Sequence, residues 1–195
     1  MHDCLIIGYS KGIGNEIFKL HKNPMGVGLD DGYDIANKDD RLKIVTLAKD
    51  IPEIYIVASS HTNRFAQIDM LCDLWDEYKD HHKKIIVISG ASPQIRNKRN
   101  ESTEQKRYDA SKHALDEIAL NLSAMEKNCQ VINIKPGRFN SSKYEDEKDK
   151  HLIDKTKLAH TIVNLVKAST DMRIISTTII SCPVNGINGK NNNLT

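Results

Sequence analysis

Along almost its whole length the chain alternates between short β-branched apolar runs and longer stretches with helical periodicity. The apolar runs are Cys4–Gly8, Gly26–Leu29, Ile54–Ala58, Ile85–Ser89, Val131–Lys135 and Ile174–Ser181. They are nearly continuous, the pattern of strands buried on both faces. Between them, Ile13–His21, Asp39–Ala48, Arg64–His81, Asp109–Lys127 and Lys155–Ala168 read as helices. In the fourth, Ser111, Leu115, Ile118, Leu122 and Met125 recur at three- and four-residue spacing and mark one helical face. This order predicts an α/β fold in three layers, with a central, mostly parallel sheet and helices on both faces.

Composition narrows the class. A chain of 195 residues suits one domain, expected to span 1–195, with the Asn/Gly-rich stretch 186–195 as a flexible tail. Hydrophobic residues make up 39% and the net charge is +2, which excludes a disordered chain and argues against a nucleic-acid partner. No apolar run approaches the roughly 18 residues of a membrane span. The start, Met1-His2-Asp3-Cys4, lacks a basic leader region, so the expected location is the cytoplasm. Cys4, Cys72, Cys129 and Cys182 form no C-x-x-C pair, and no metal site is expected from their spacing.

The first apolar run ends in Gly8-Tyr9-Ser10-Lys11-Gly12-Ile13-Gly14, and a helix pattern follows at once. In that context Gly8 allows a tight exit from the strand. Gly12 lets the backbone approach a pyrophosphate, and Gly14 lets the helix pack closely on the sheet. The free N–H groups of the helix start then face phosphate. The same turn also serves geometry alone. After the second run, Asp30 and Asp31 are placed to accept ribose hydroxyls and repel a 2′-phosphate, favouring NAD over NADP; alternatively they form a polar turn. Lys11 opposes the preference for NAD, as a cation beside the turn.

Tyr108-Asp109-Ala110-Ser111-Lys112 opens the longest helix pattern. Tyr108 and Lys112, at i and i+4, share a face. An ammonium beside a phenol stabilises the phenolate and lowers a pKa ordinarily near 10. Such pairs also occur on helices with no chemistry attached.

Taken together, the glycine turn, the later Tyr-x-Ala-Ser-Lys and the stretch Val131-Ile-Asn-Ile-Lys-Pro136-Gly137 resemble the short-chain dehydrogenase/reductase family, over almost the whole chain and in the correct order. The resemblance implies a Rossmann-like fold and an NAD- or NADP-dependent oxidoreductase acting on a small carbonyl compound or secondary alcohol. Tyr108 would be the general acid/base, and Lys112 would bind the nicotinamide ribose. Gly8, Ser10, Lys11, Gly12, Ile13 and Gly14 would cradle the cofactor. Asp34 and Ile35 would touch the adenine, with Tyr33–Ile35 as a very short third strand. Ala58 and Ser59 stand where the family has Asn-Asn-Ala-Gly. Pro136, Phe139 and Ser141 would line the nicotinamide. Subunits would meet through helices 64–81 and 109–127 as a homodimer or homotetramer.

The chain also departs from the family pattern. The family serine ordinarily ends an Ile-Ser-Ser sequence, whereas here Ile88-Ser89-Gly90 puts a glycine at that position. This leaves Ser89, or Ser92 in the following loop, as the candidate serine. Asn63 is the nearby asparagine and a poor candidate for the family's helical one. Leu71, Leu74, Trp75 and Tyr78 read as a buried stripe, either core or subunit interface. His61 follows a strand end and is a candidate contact, and 143–150 falls where the family has a substrate lid. The rival reading is a catalytically impaired or regulatory NAD(P)-binding protein of the same fold.

Overall fold

The computed structural model describes residues 1–60, 62–91, 102–140, 152–170 and 172–181. Expectations placed on His61, Ser92, Ser141, Cys182, the charged run 143–150 and the tail 186–195 lie outside these residues.

Six strands and five α-helices alternate among the described residues: β1 (Cys4–Ile7), α1 (Gly12–Leu20), β2 (Pro24–Val27), α2 (Lys38–Leu47), β3 (Glu53–Ile56), α3 (Ala66–Tyr78), β4 (Lys84–Ile88), α4 (Thr103–Ala124), β5 (Gln130–Pro136), α5 (Lys155–Ala168) and β6 (Ser176–Ile179). The strands form one sheet in the order β2-β1-β3-β4-β5-β6, and every pair is parallel.

Strand alternation divides the core in two. Leu5, Ile7, Ile54, Ile56, Ile85, Val87 and Val131 face α2, α3 and α4. Cys4, Ile6, Tyr55, Ile86, Ile88, Ile132 and Ile134 face α1 and α5. Both faces are dry, which is why the strands read as unbroken apolar runs rather than alternating ones. The stripe Leu71, Leu74, Trp75 and Tyr78 is core: all four are buried within this chain.

The structure corrects three expectations. Tyr33–Ile35 forms no strand, and β2 edges the sheet. The backbone turns there because Asp34 accepts the N–H of Ala36 (2.9 Å) in an Asx turn, while its own N–H goes to Asp40 (3.2 Å). The second correction is to the longest helix, which starts at Thr103 instead of Asp109. Ser102 caps it by accepting the N–H of Gln105 (3.1 Å). Third, Met125 lies beyond the helix and is 47% exposed, so the buried residues of the helix are Asp109, Ser111, Lys112, Leu115, Ala119 and Ser123.

Candidate active site

Gly8 leaves β1 at φ +91°, and any Cβ there would meet the backbone N of Ala58 at 2.7 Å. Only glycine meets both conditions. A Cβ on Gly14 would lie 2.1 Å from the carbonyl oxygen of Gly8, so α1 sits directly on the strand exit. Lys11 is the N-cap residue of α1 and its side chain makes no capping bond, so the helix start offers its N–H groups outward. Beside this turn opens a cleft of about 370 Å³ lined by Gly8, Ser10, Lys11, Asp30, Asp34, Ile35, Ala58 and Ser59, together with Tyr33 and Ser60. It lies outside the carboxyl ends of β1, β2 and β3, where the strand order reverses direction about β1.

The two acids after β2 have different partners. The Tyr9 hydroxyl donates to Asp31 Oδ1 (3.2 Å), and the Tyr9 ring packs on Gly26 and Phe18. Asp30 lines the cleft. Ile35 is held in place through its carbonyl, which accepts from the buried Arg41 Nη1 (3.0 Å). Arg41 Nε in turn binds Asp73 of α3 (2.6 Å).

Ser59 and Ser60 also line a narrower crevice, together with Arg64, Gln67, Tyr108, Ser111 and Lys112. Here the Lys112 ammonium lies 5.6 Å from the centroid of the Tyr108 ring, as their shared helical face requires. Lys112 is 6% exposed, and its Nζ donates to Gln67 Oε1 (2.6 Å). Burial pushes its pKa down to about 8, against the opposing pull of Asp116 one turn on. Gln67 is buried too; its Nε2 donates to the carbonyls of Ile56 and Ile88 (both 3.1 Å), tying together the ends of β3 and β4. The lysine therefore hangs from the carboxyl ends of two central strands. Arg64, also on the crevice, pairs with Glu104 at the start of α4.

Ser89 does not line this crevice. It is buried, and its Oγ donates to Asn133 Oδ1 (2.8 Å), whose Nδ2 donates to Asp116 Oδ1 (2.9 Å). Gly90 occupies the next position at φ +142°. Pro136 is the last residue of β5 and Phe139 stands just past it; neither lines the cleft or the crevice. Phe139 bridges to Ile153 and packs on the α1/α5 face. Ile13 is buried on that same face. Asn63 turns the chain into α3, accepting the N–H of Phe65 (2.9 Å).

Gln67, Asn133 and Asp116 were not among the expected site residues. A signal was present for the first two. Gln67 interrupts the apolar stripe it shares with Met70, Leu71 and Leu74, and Asn133 is the polar residue inside an unbroken apolar strand.

No protein-family model matches this chain, and no curated protein matches it either. Solved structures do match it. A short-chain dehydrogenase/reductase from Vibrio parahaemolyticus is similar at 18% identity and TM-score 0.71, covering 92% of this chain and 100% of that one. A short-chain dehydrogenase/reductase of glucose/ribitol dehydrogenase type from Brucella melitensis aligns at 16% identity and TM-score 0.74, over 92% and 94%. A short chain dehydrogenase from Burkholderia cenocepacia, solved in complex with NADP, aligns at 13% identity and TM-score 0.70, over 91% and 88%. The chain has the Rossmann-like fold of these short-chain dehydrogenase/reductase structures.

Proposed function

Starting from that fold, we propose that the chain is an NAD(P)-dependent oxidoreductase of the short-chain dehydrogenase/reductase type, acting on a carbonyl compound or the corresponding secondary alcohol. The observation that carries this reading is the buried Lys112 ammonium against the Tyr108 ring, in a crevice that shares Ser59 and Ser60 with the glycine-turn cleft.

The cleft suits a dinucleotide. Its floor at Gly8 has no room for a side chain, and the start of α1 offers N–H groups and Lys11 to a pyrophosphate. Ile35 gives an apolar wall for an adenine, and Asp30 accepts ribose hydroxyls. Asp31 is already engaged by Tyr9, so Asp30 is the acid that favours NAD, with Lys11 opposing it. When bound, the nicotinamide supplies or accepts hydride at its C4. Tyr108 gives its phenolic proton to the carbonyl oxygen in reduction and takes it back in oxidation. Lys112 stabilises the phenolate in between and offers an N–H to a ribose hydroxyl. Gln67 fixes where that ammonium sits.

Substituting Tyr108→Phe is expected to lower turnover of NADH with carbonyl substrates by at least about a hundredfold, while dinucleotide affinity stays within about twofold. Turnover that survives the substitution would refute the role of Tyr108. The second reading, a dinucleotide-binding protein without turnover, is favoured by Gly90 at the serine position and by the bond that ties Ser89 to Asn133. Tight NADH binding with no oxidation across a broad carbonyl panel would select it.

A further inference from the structure

We propose that Asp3, Cys4 and His21 form a binding site for a divalent transition-metal ion of the zinc type, at the opposite end of β1 from the glycine turn. Asp3 directly precedes β1, Cys4 is the first residue of β1, and His21 is the C-cap residue of α1. One ligand atom from each lies within 4.8 Å of the other two. Around a tetrahedral ion with bonds of 2.0–2.3 Å, donors stand about 3.5 Å apart, so closure asks for shifts of roughly 1 Å.

The donors are poorly satisfied without an ion. His21 Nε2 is buried with no hydrogen-bond partner, and its side chain is only 8% exposed. Its Nδ1 stands 3.8 Å from Asp3 Oδ2, beyond hydrogen-bonding distance. Asp3 Oδ1 is likewise buried and receives no N–H, and the group beside the carboxylate is the Cys4 thiol. Such groups in a folded protein cost stability unless something pairs with them.

The surroundings orient the donors. Asp3 Oδ2 accepts the N–H groups of Lys22 (3.0 Å) and Asn23 (3.3 Å), so the carboxylate is held by the turn after α1 while Oδ1 stays available. The His21 ring stands edge-on to Tyr55 of β3, 5.5 Å between centroids. Cys4 is fully buried and in no disulfide. Supports of this kind fix ligand orientation in metal sites.

The chemistry of the donor set selects the ion. Thiolate, imidazole and carboxylate together suit Zn²⁺ or Co²⁺ and disfavour Mg²⁺ and Ca²⁺, which take oxygen ligands. On binding, the Cys4 thiol releases one proton to solvent. The ion's two positive charges then balance one thiolate and one carboxylate, which leaves a neutral cluster. A water completes the fourth position. The bound ion would clamp the start of β1 to the end of α1, a structural role distinct from the dinucleotide cleft. The cysteine spacing alone gave no hint of it, because the ligands come from an adjacent pair and a residue one helix away.

Titrating the full, tag-free, reduced chain with Co²⁺ tests this inference. The expected spectrum has the d–d bands of tetrahedral cobalt and a thiolate-to-cobalt charge-transfer band, saturating at one ion per chain, and Zn²⁺ abolishes it by displacement. Cys4→Ser should remove the charge-transfer band, and His21→Phe, which keeps the packing on Tyr55, should remove tetrahedral binding. Asp3→Asn, at a carboxylate 40% exposed and therefore safe for folding, should weaken Co²⁺ at least about tenfold. Absence of a charge-transfer band in the wild-type chain would overturn the proposal. So would a band unchanged in affinity by Asp3→Asn, which would place the metal at another cysteine.

Discussion

Lys112 is a largely buried cation, and its burial has measurable consequences. The unfolded chain keeps the Lys112 proton up to its ordinary pKa of 10.5, whereas the folded chain gives it up at about 8. Between these values the unfolded state binds more protons, so stability climbs with pH across that window. In Lys112→Met that contribution is absent. The stability difference between variant and wild type, measured by urea unfolding, should therefore shift by about 2–3 kcal/mol in favour of wild type from pH 8 to 10.5. A difference that stays flat with pH would mean that Lys112 is not desolvated. The proposed role of Asp30 in cofactor choice gives a second test at this scale. Removing its charge in Asp30→Asn takes away the repulsion of a 2′-phosphate, so the NADPH-to-NADH affinity ratio should rise about tenfold, read from competitive titrations of the two reduced dinucleotides. An unchanged ratio would leave Lys11 as the residue that sets the choice.

At the scale of elements, the contact between α1 and β1 holds the cleft in shape. A methyl group at position 14 collides with the Gly8 carbonyl and must push the helix off the strand. Gly14→Ala is expected to cost about 3 kcal/mol and to lower the melting temperature by about 6–12 °C in a thermal scan, with dinucleotide affinity falling alongside. A variant as stable as the wild type would show that the helix has slack there. The strands and helices themselves were legible in the sequence, because double-sided burial leaves unbroken apolar runs and amphipathic helices repeat every three to four residues. Ends were less legible. The extra turns of α4 before Asp109 rest on the Ser102 cap and polar side chains that carry no apolar signal. The expected strand at Tyr33–Ile35 failed because an aspartate side chain competes for the backbone. The geometry of the candidate site was legible where backbone packing dictates residue type, at Gly8 and Gly14, and where helical spacing dictates proximity, at Tyr108 and Lys112. It was illegible where partners meet through the fold: Lys112 with Gln67, Ser89 with Asn133, Cys4 with His21.

For the whole molecule, an all-parallel sheet covered on both faces puts the carboxyl ends of β1, β3 and β4 and the Tyr108 face of α4 along one rim, so the two cavities adjoin at Ser59 and Ser60. Among the described residues no helix is long and apolar enough to cross a membrane. Binding at the rim couples to the stability of the entire sheet. A dinucleotide at a hundred times its Kd should raise the melting temperature by about 5–10 °C. Calorimetric titration of the chain with NADH tests the proposed dinucleotide site at the rim. Saturable binding of one NADH per chain, competed by NAD, is the expected result. No detectable binding of NADH or NADPH at millimolar concentration would contradict it.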